Sequence, residues 1–316
     1  MAALDEVEHL KAEVDELEAR LASARKRLIA AERPSPSSSS ITATATALHH
    51  PTPPTSPSST PTHFLLLLAD SALPIGCFAF SSGLESFLAH DGNQADSQLA
   101  PFLALTLSST AATSLPFFLA AHRDPQKLVA LDDELDASVV CAVARRAGVA
   151  QGRALLTVWE RSFAAQMDGV GLRPHMVESL RRFAVLLRAS SSAVVVDVDD
   201  DDDDDEVKDR LSLQPAAHFA PLFGAVCAVA GLAARQAAYV FLLGHARAIV
   251  SAAVRAGVFG PYQAQRVLAA GQLRGYIDAL VEREWCTATE CAGQSVPLVD
   301  LWIGRHELLY SRIFNS

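Results

Sequence analysis

The stretch "QLAPFLALTLSSTAATSLPFFLAAH", residues 98–122, decides the fold class. Its leucines, phenylalanines and alanines return at steps of three and four residues, the spacing that lays one apolar stripe along an α-helix. Three further stretches repeat the pattern: "LDASVVCAVARRAGVAQGRALLTVWERSFA" (135–164), "HMVESLRRFAVLLRA" (175–189) and "QAQRVLAAGQLRGYIDALVEREW" (263–285). Asp124-Pro125 and Pro174 stand where helices start, because proline is tolerated in a first turn. Strict two-residue alternation flanked by hairpin signals is not found in this region. Half of the 316 residues are hydrophobic, mostly Ala, Leu and Val, which favours helix and provides for a sizeable core. The expectation is an all-α, compact helical bundle.

Outward from that core the chain changes character twice. Residues 1–33 place Val7, Val14, Leu21 and Leu28 at heptad position a and Leu10, Leu17, Ala24 and Ala31 at d, among charged residues. This reads as a short coiled-coil-like helix, marginal alone, or as a single amphipathic helix. Residues 34–62 are nearly all Pro, Ser and Thr and read as a disordered linker, with His49-His50 incidental within it. The folded body is then 63–316. Within it, "VVVDVDDDDDDDEVKDRLSLQP" (194–215) interrupts the helices with seven consecutive Asp and a Glu. Mutual repulsion and hydration make this an acidic disordered insert; a cation sponge is the sharper alternative, weak without a defined cage.

Charge and cysteine usage narrow the function. The net charge is −10, but the acidic run from Asp199 to Glu206 supplies most of it, and the rest is close to neutral. A nearly neutral body without a basic, aromatic-interleaved stripe speaks against nucleic-acid binding. The five cysteines, Cys77, Cys141, Cys227, Cys286 and Cys291, are odd in number and irregularly spaced, as expected of reduced thiols in the cytoplasm. The most apolar run, 219–234, is short for a membrane span and ends at Arg235-Gln236, so it reads as a buried core helix and not as a membrane segment. An acidic N-terminus is neither a secretory nor a transit signal.

Catalytic signatures are missing: there is no P-loop, dinucleotide fingerprint, HExxH or nucleophile elbow. The histidines form no i, i+4 pair, and His218, His245 and His306 read as satisfied structural residues. A long chain with a large core and no catalytic constellation points to a binding or scaffold protein. Two alternatives remain: an all-α hydrolase or redox helper using Cys77 or Ser81 with a nearby acid or base, and a scaffold held together by the N-terminal coil.

"LLLLADSALPIGCFAFSSGLES" (65–86) resembles the N-terminal signature of the urease accessory protein UreF family, with Leu73, Pro74, Gly76, Phe78, Ser81, Gly83, Leu84 and Glu85 on the pattern. "HFAPLFGAVCAVAGL" (218–232), "GHARAIVSAAVRAGVFGPYQAQRVL" (244–268) and the tail "GRHELLYSRIFNS" (304–316) are similar to later blocks of the family, in the same order; "RRAGVAQGRALL" (145–156) is a weaker match. The resemblance covers 64–316 and leaves the coil, linker and insert unaddressed. It implies about ten helices and a non-enzymatic chaperone of nickel insertion. Such a protein bridges a UreD/UreH-type accessory protein and a UreG-type GTPase on the way to apo-urease, commonly around a homodimer. No tightly bound cofactor is implied; nickel is handled by the complex.

Read physically, Pro74, Gly76 and Gly83 set a structural turn. Phe78 and Phe80, two apart in an extended stretch, face one way, for partner contact or for packing. Ser81 or Ser82 caps the helix that begins near Gly83-Leu84, and Glu85 suits its first turn. By resemblance Glu85 is a functional carboxylate near the GTPase face. Cys77 departs from the family's second glycine, and a thiol beside a nickel-transfer surface is a weak candidate metal ligand. In the tail, Arg305, His306, Glu307, Tyr310, Arg312 and Phe314 form a partner-binding sequence that docks onto UreD/UreH and orders there. Ser251 and Arg255 belong to core packing or to a dimer seam.

Overall fold

A computed structural model describes residues 60–91, 95–168, 174–193 and 215–315. The heptads of 1–33, the Pro/Ser/Thr tract up to residue 59 with His49 and His50, and the acidic run within 194–214 lie outside these residues. Among the described residues the chain is helical and has no strand.

The long helix α3 (Ala95–Arg123) is the axis, with α1 (Thr60–Ala69) and α2 (Leu84–Asp91) preceding it. The stripe read from the sequence is buried in full at Leu107, Ala111, Leu115, Phe118 and Leu119. Pro101 and Pro116 lie inside α3 without ending it. Proline has no N–H to donate to the carbonyl four residues back. At Pro116 that carbonyl belongs to Ala112, and it accepts instead from the Gly293 N–H at 3.2 Å.

Helices α4 (Leu128–Ser138) and α5 (Ala142–Val158) follow, and α5 passes through a π turn at Trp159–Phe163 into the short helix Ala164–Asp168. Next come α6 (Pro174–Ala193), α7 (Phe219–Val229) and α8 (Ala234–Arg255), then α9 (Pro261–Ala269), α10 (Gly271–Glu284) and α11 (Pro297–Arg305). Helices do start at Pro174 and, in a 3-10 turn, at Pro125, where Asp124 accepts the Gln126 N–H. Two stretches of unbroken periodicity are each divided. The chain becomes extended from Val139 to Cys141, where β-branched Val139 and Val140 disfavour helix, and again at Ala270 (ψ 131°).

α7 lies against α3 so closely that a Cβ on Gly224 would stand 2.2 Å from the Phe118 carbonyl oxygen. Phe118, Phe219, Phe223 and Phe241 then join α3, α7 and α8 in one aromatic cluster, with Phe118 and Phe241 stacked at 5.2 Å and Phe219 tilted against Phe223 at 5.1 Å. Phe219–Val229 is indeed a buried core helix. α3 and α8 are long and apolar enough to cross a membrane, yet more than half of each apolar window is buried against the bundle. They are core helices by that measure.

The entry to α7 is built by one carboxylate. Asp132 on α4 is fully buried and accepts the N–H groups of Ala216 (2.7 Å), Ala217 (2.9 Å) and His218 (2.6 Å). Burial pushes the Asp132 carboxyl up, while the three N–H groups and His218 pull the other way. The contact also holds Ala217 at φ +74°, a conformation costly for a residue with a Cβ.

Candidate functional site

The head turn begins with an Asx-type turn in which Asp70 accepts the Ala72 N–H at 3.0 Å. Arg247 on α8 donates to the Ala69 carbonyl. Gly76 is left-handed (φ +72°), and Cys77–Ala79 form a 3-10 turn closed by Ala79 N–H to Gly76 O at 3.0 Å. The expected extended stretch is therefore corrected: Phe78 sits in that turn and only Phe80 is extended, because the left-handed Gly76 coils the chain. Cys77 is right-handed, so the glycine it replaces is not required for backbone freedom. The thiol is half-buried, and burial raises its pKa.

Phe78, Phe80 and Cys77 border a cavity of about 290 Å³ whose far wall includes Thr110 and Thr113 of α3 and His245 of α8. His245 meets Thr110 Oγ at 3.2 Å, and burial holds its imidazole down to about 4. It is one of three histidines expected to be structural, and all three have partners. His218 Nε2 meets Asp136 Oδ1 at 2.7 Å, and His306 Nε2 meets Glu85 Oε2 at 2.9 Å. Against the burial that would raise it, hydrogen bonds from Arg145 and His218 hold the Asp136 carboxyl below the usual carboxylate range.

The head ends in a cap. Ser81 Oγ accepts the Glu85 N–H at 3.3 Å, so Ser81, not Ser82, is the capping residue of α2. Gly83 sits at φ +84°, where a Cβ would lie 3.0 Å from the Ile303 nitrogen and from the Trp302 Cβ. Glycine is thus required twice, for conformation and for the approach of α11.

That approach brings the two ends of the signature together. Glu85 Oε1 accepts the Ile313 N–H at 2.6 Å, and Oε2 accepts from His306 Nε2 and from the Phe314 N–H at 3.1 Å. Asn315 N–H reaches the Ala79 carbonyl at 2.8 Å. Phe314 is buried, with the Arg255 guanidinium 4.4 Å above its ring. Arg255 Nε also meets the Ser251 carbonyl at 3.4 Å, which places both residues at the tail's seat. Glu307 pairs with Arg146 of α5 at the surface. Arg305, Tyr310 and Arg312 are exposed, and Pro74 lies exposed at the turn.

Of the residues read as partner-binding, the structure thus gathers Glu85, His306 and Phe314 into one buried junction. It leaves Tyr310 and Arg312 outside, beside Leu308 and Ile313. Sequence reading missed Ile313, whose contribution is its backbone N–H, and Asp132 and Asp136, whose i, i+4 spacing on α4 was the one available signal. Among the described residues no cluster of three or more His, Cys, Asp or Glu is arranged to hold a metal ion.

The class the fold defines is an all-α helical bundle, with its C-terminal tail held on the head turn by Glu85 and the Ser81 hydroxyl spent on a backbone N–H. The UreF family profile matches residues 94–272. An uncharacterised UreF-like urease accessory protein of Schizosaccharomyces pombe is 33% identical over 82% of this chain and 99% of its own length. Urease accessory protein 6 of Cryptococcus neoformans is 26% identical, covering 83% and 99%. Urease accessory protein F of Oryza sativa is 28% identical, covering 83% and 88%. The chain belongs to the UreF family, which is a family of accessory proteins and not of enzymes.

Proposed function

We propose that the protein acts in urease maturation as a docking subunit. It bridges a UreD/UreH-type accessory protein and a UreG-type GTPase and couples the GTPase state to nickel transfer into apo-urease. Residues 63–316 carry this activity as a cytoplasmic homodimer. The coil of 1–33, the linker read as 34–62, whose last three residues instead open α1, and the insert of 194–215 are additions to it, and nickel is handled by the complex.

The observation that carries the reading is the tail. Leu308, Tyr310 and Ile313 are 81%, 107% and 65% exposed in a short segment that is nevertheless anchored to the body. Exposed large apolar side chains on an ordered backbone are the makings of an interface. The hydrolase alternative finds less support: Ser81 is buried with its hydroxyl used as a helix cap, and burial disfavours the Cys77 thiolate.

Co-purification with the UreD-type protein and the GTPase, followed by a urease activation assay, tests the proposal. Deleting Glu307–Ser316 is expected to abolish the complex while circular dichroism still reports a helical body. A truncated chain that still captured its partner would refute it. Removing residues 1–60 is expected to leave activation intact; loss of activation would favour the coil-based scaffold.

A further inference from the structure

We infer that the cavity behind the head turn is a binding site for a small uncharged aromatic alcohol, a molecule of the phenol class. Binding there does not depend on the docking role proposed above.

The cavity of about 290 Å³ is lined by two unlike surfaces. One is apolar, with Phe80, Phe223, Phe241 and Val240 on it. The other runs along α3, where Thr106, Ser109, Thr110 and Thr113 recur at steps of three and four residues and form one stripe of hydroxyls on a core helix. Apolar walls with a few placed polar groups are the usual make-up of a small-molecule site. The protons of the stripe are largely spent. Thr106 Oγ1 donates to the Phe102 and Leu103 carbonyls (3.1 and 3.0 Å), Thr113 Oγ1 to the Ser109 carbonyl (2.9 Å), and Ser109 Oγ to Gln294 Oε1 (2.8 Å). Each oxygen keeps lone pairs, so the stripe accepts, and an occupant must donate. A carboxylate brings only acceptors. Of the charged residues on the border, Arg247 and Asp70 are committed to backbone groups, and with Asp300 they leave no surplus of positive charge for an anion. A cation meets the desolvation that already holds His245 neutral down to about 4. What remains is a neutral donor on an apolar body. The room is also kept by sequence: Gly244 lies inside α8 with φ outside the left-handed region, and a Cβ there would meet nothing within 4 Å. Helix propensity disfavours glycine at such a position and packing does not require it, while any side chain would take up space at the cavity border. Cys77, Phe78 and Phe80 border the same space, so an occupant braces the head turn directly.

Phenol itself is the probe. Titrated into the full-length protein, it is expected to bind saturably and to shift the amide resonances of Thr110, Thr113, Gly244 and His245 together. Anisole keeps the ring and the oxygen but has no O–H, and is expected to bind at least about fivefold more weakly, the worth of one hydrogen bond. Benzoate and benzylammonium, with charge in place of the neutral donor, are expected to bind more weakly than phenol. Gly244→Leu is expected to abolish saturable binding while melting no lower than wild type, because leucine is the better helix former. Thr113→Val removes one acceptor at nearly constant volume and is expected to weaken phenol while leaving anisole unchanged. Shifts that do not saturate and scatter over the surface mean an adventitious additive only, and overturn the site. Anisole binding as well as phenol overturns the need for a donor, and benzoate or benzylammonium binding more tightly than phenol overturns the uncharged class. Full phenol affinity in Gly244→Leu overturns the location. If that variant does not fold, the wild-type resonances and Thr113→Val decide in its place, and undiminished phenol affinity in Thr113→Val overturns the hydroxyl stripe as the acceptor.

Discussion

Between α3, α7 and α8 the contacts are carried by side chains. Phe118, Phe223 and Phe241 interleave, and the backbones close to the distance that Gly224 permits. Between the head turn and the tail they are carried mostly by polar groups converging on Glu85, two main-chain N–H groups and the buried His306 ring, with Phe314 as the buried apolar side chain of the tail. The first region is stabilised by apolar area and responds to volume; the second is stabilised by a few directional bonds and responds to geometry. A bundle can therefore stay folded while its terminus changes state, which suits the docking role proposed above.

The largest effect should come from breaking the first region. Phe118→Ala removes a fully buried ring and is expected to cost about 3–5 kcal/mol, seen as a cooperative loss of helix at lower temperature or denaturant. Asp132→Ala tests whether a polar junction can matter as much when it lies inside the bundle. It orphans three N–H groups and is expected to cost about 3 kcal/mol, with Ala217 free to leave its left-handed conformation. Gly83→Ala adds a Cβ where backbone strain alone is worth about 1–3 kcal/mol. Its signature should be faster tryptic cleavage after Arg312 before any loss of bundle helicity. The reverse order would erase the distinction between the two regions.

A smaller effect appears in pH. The His245 imidazole is held at about 4, below its ordinary 6.5. Above 6.5 folded and unfolded states are both neutral there, and its contribution to stability is fully present. As pH falls from 6.5 toward 4 only the unfolded chain gains the proton, so stability declines, levelling once the folded form also titrates. His245→Gln is expected to flatten that limb of a stability–pH curve, modestly, since the residue is half-buried beside the cavity. Smallest of all, Cys77→Gly is expected to leave nickel titration of the isolated chain unchanged, because the thiol is raised by burial and stands in no ligand cluster among the described residues.

The stripe of α3 was legible because apolar side chains recur with the helix period, and the same regularity marked the cores of α5, α6 and α10. The turn was legible in part: Gly76, Gly83 and Ser81 announce conformations that only their residue types favour. The divisions at 139–141 and at Ala270 were not, since β-branched or alanine residues interrupt no apolar pattern. Least legible was the Glu85 junction. Two of its three partners are backbone N–H groups more than 220 positions away, and every residue but proline offers an identical one. Asp132 is hidden for the same reason: a carboxylate that binds main chain leaves no complementary side chain to find.

Pro116 shows how much a missing atom can specify. The carbonyl of Ala112, left open within α3, works as an address that one N–H from a distant loop can occupy. Nearby, Gln294 Oε1 takes the Ser109 hydroxyl and the Val296 N–H, both at 2.8 Å, so the loop is registered at one height on the helix. Gly293 and Gln294 also border the cavity. Replacing Pro116 with alanine would make α3 a better helix in isolation and would let that loop drift. One wall of the cavity is thus positioned by a residue usually regarded as a helix breaker.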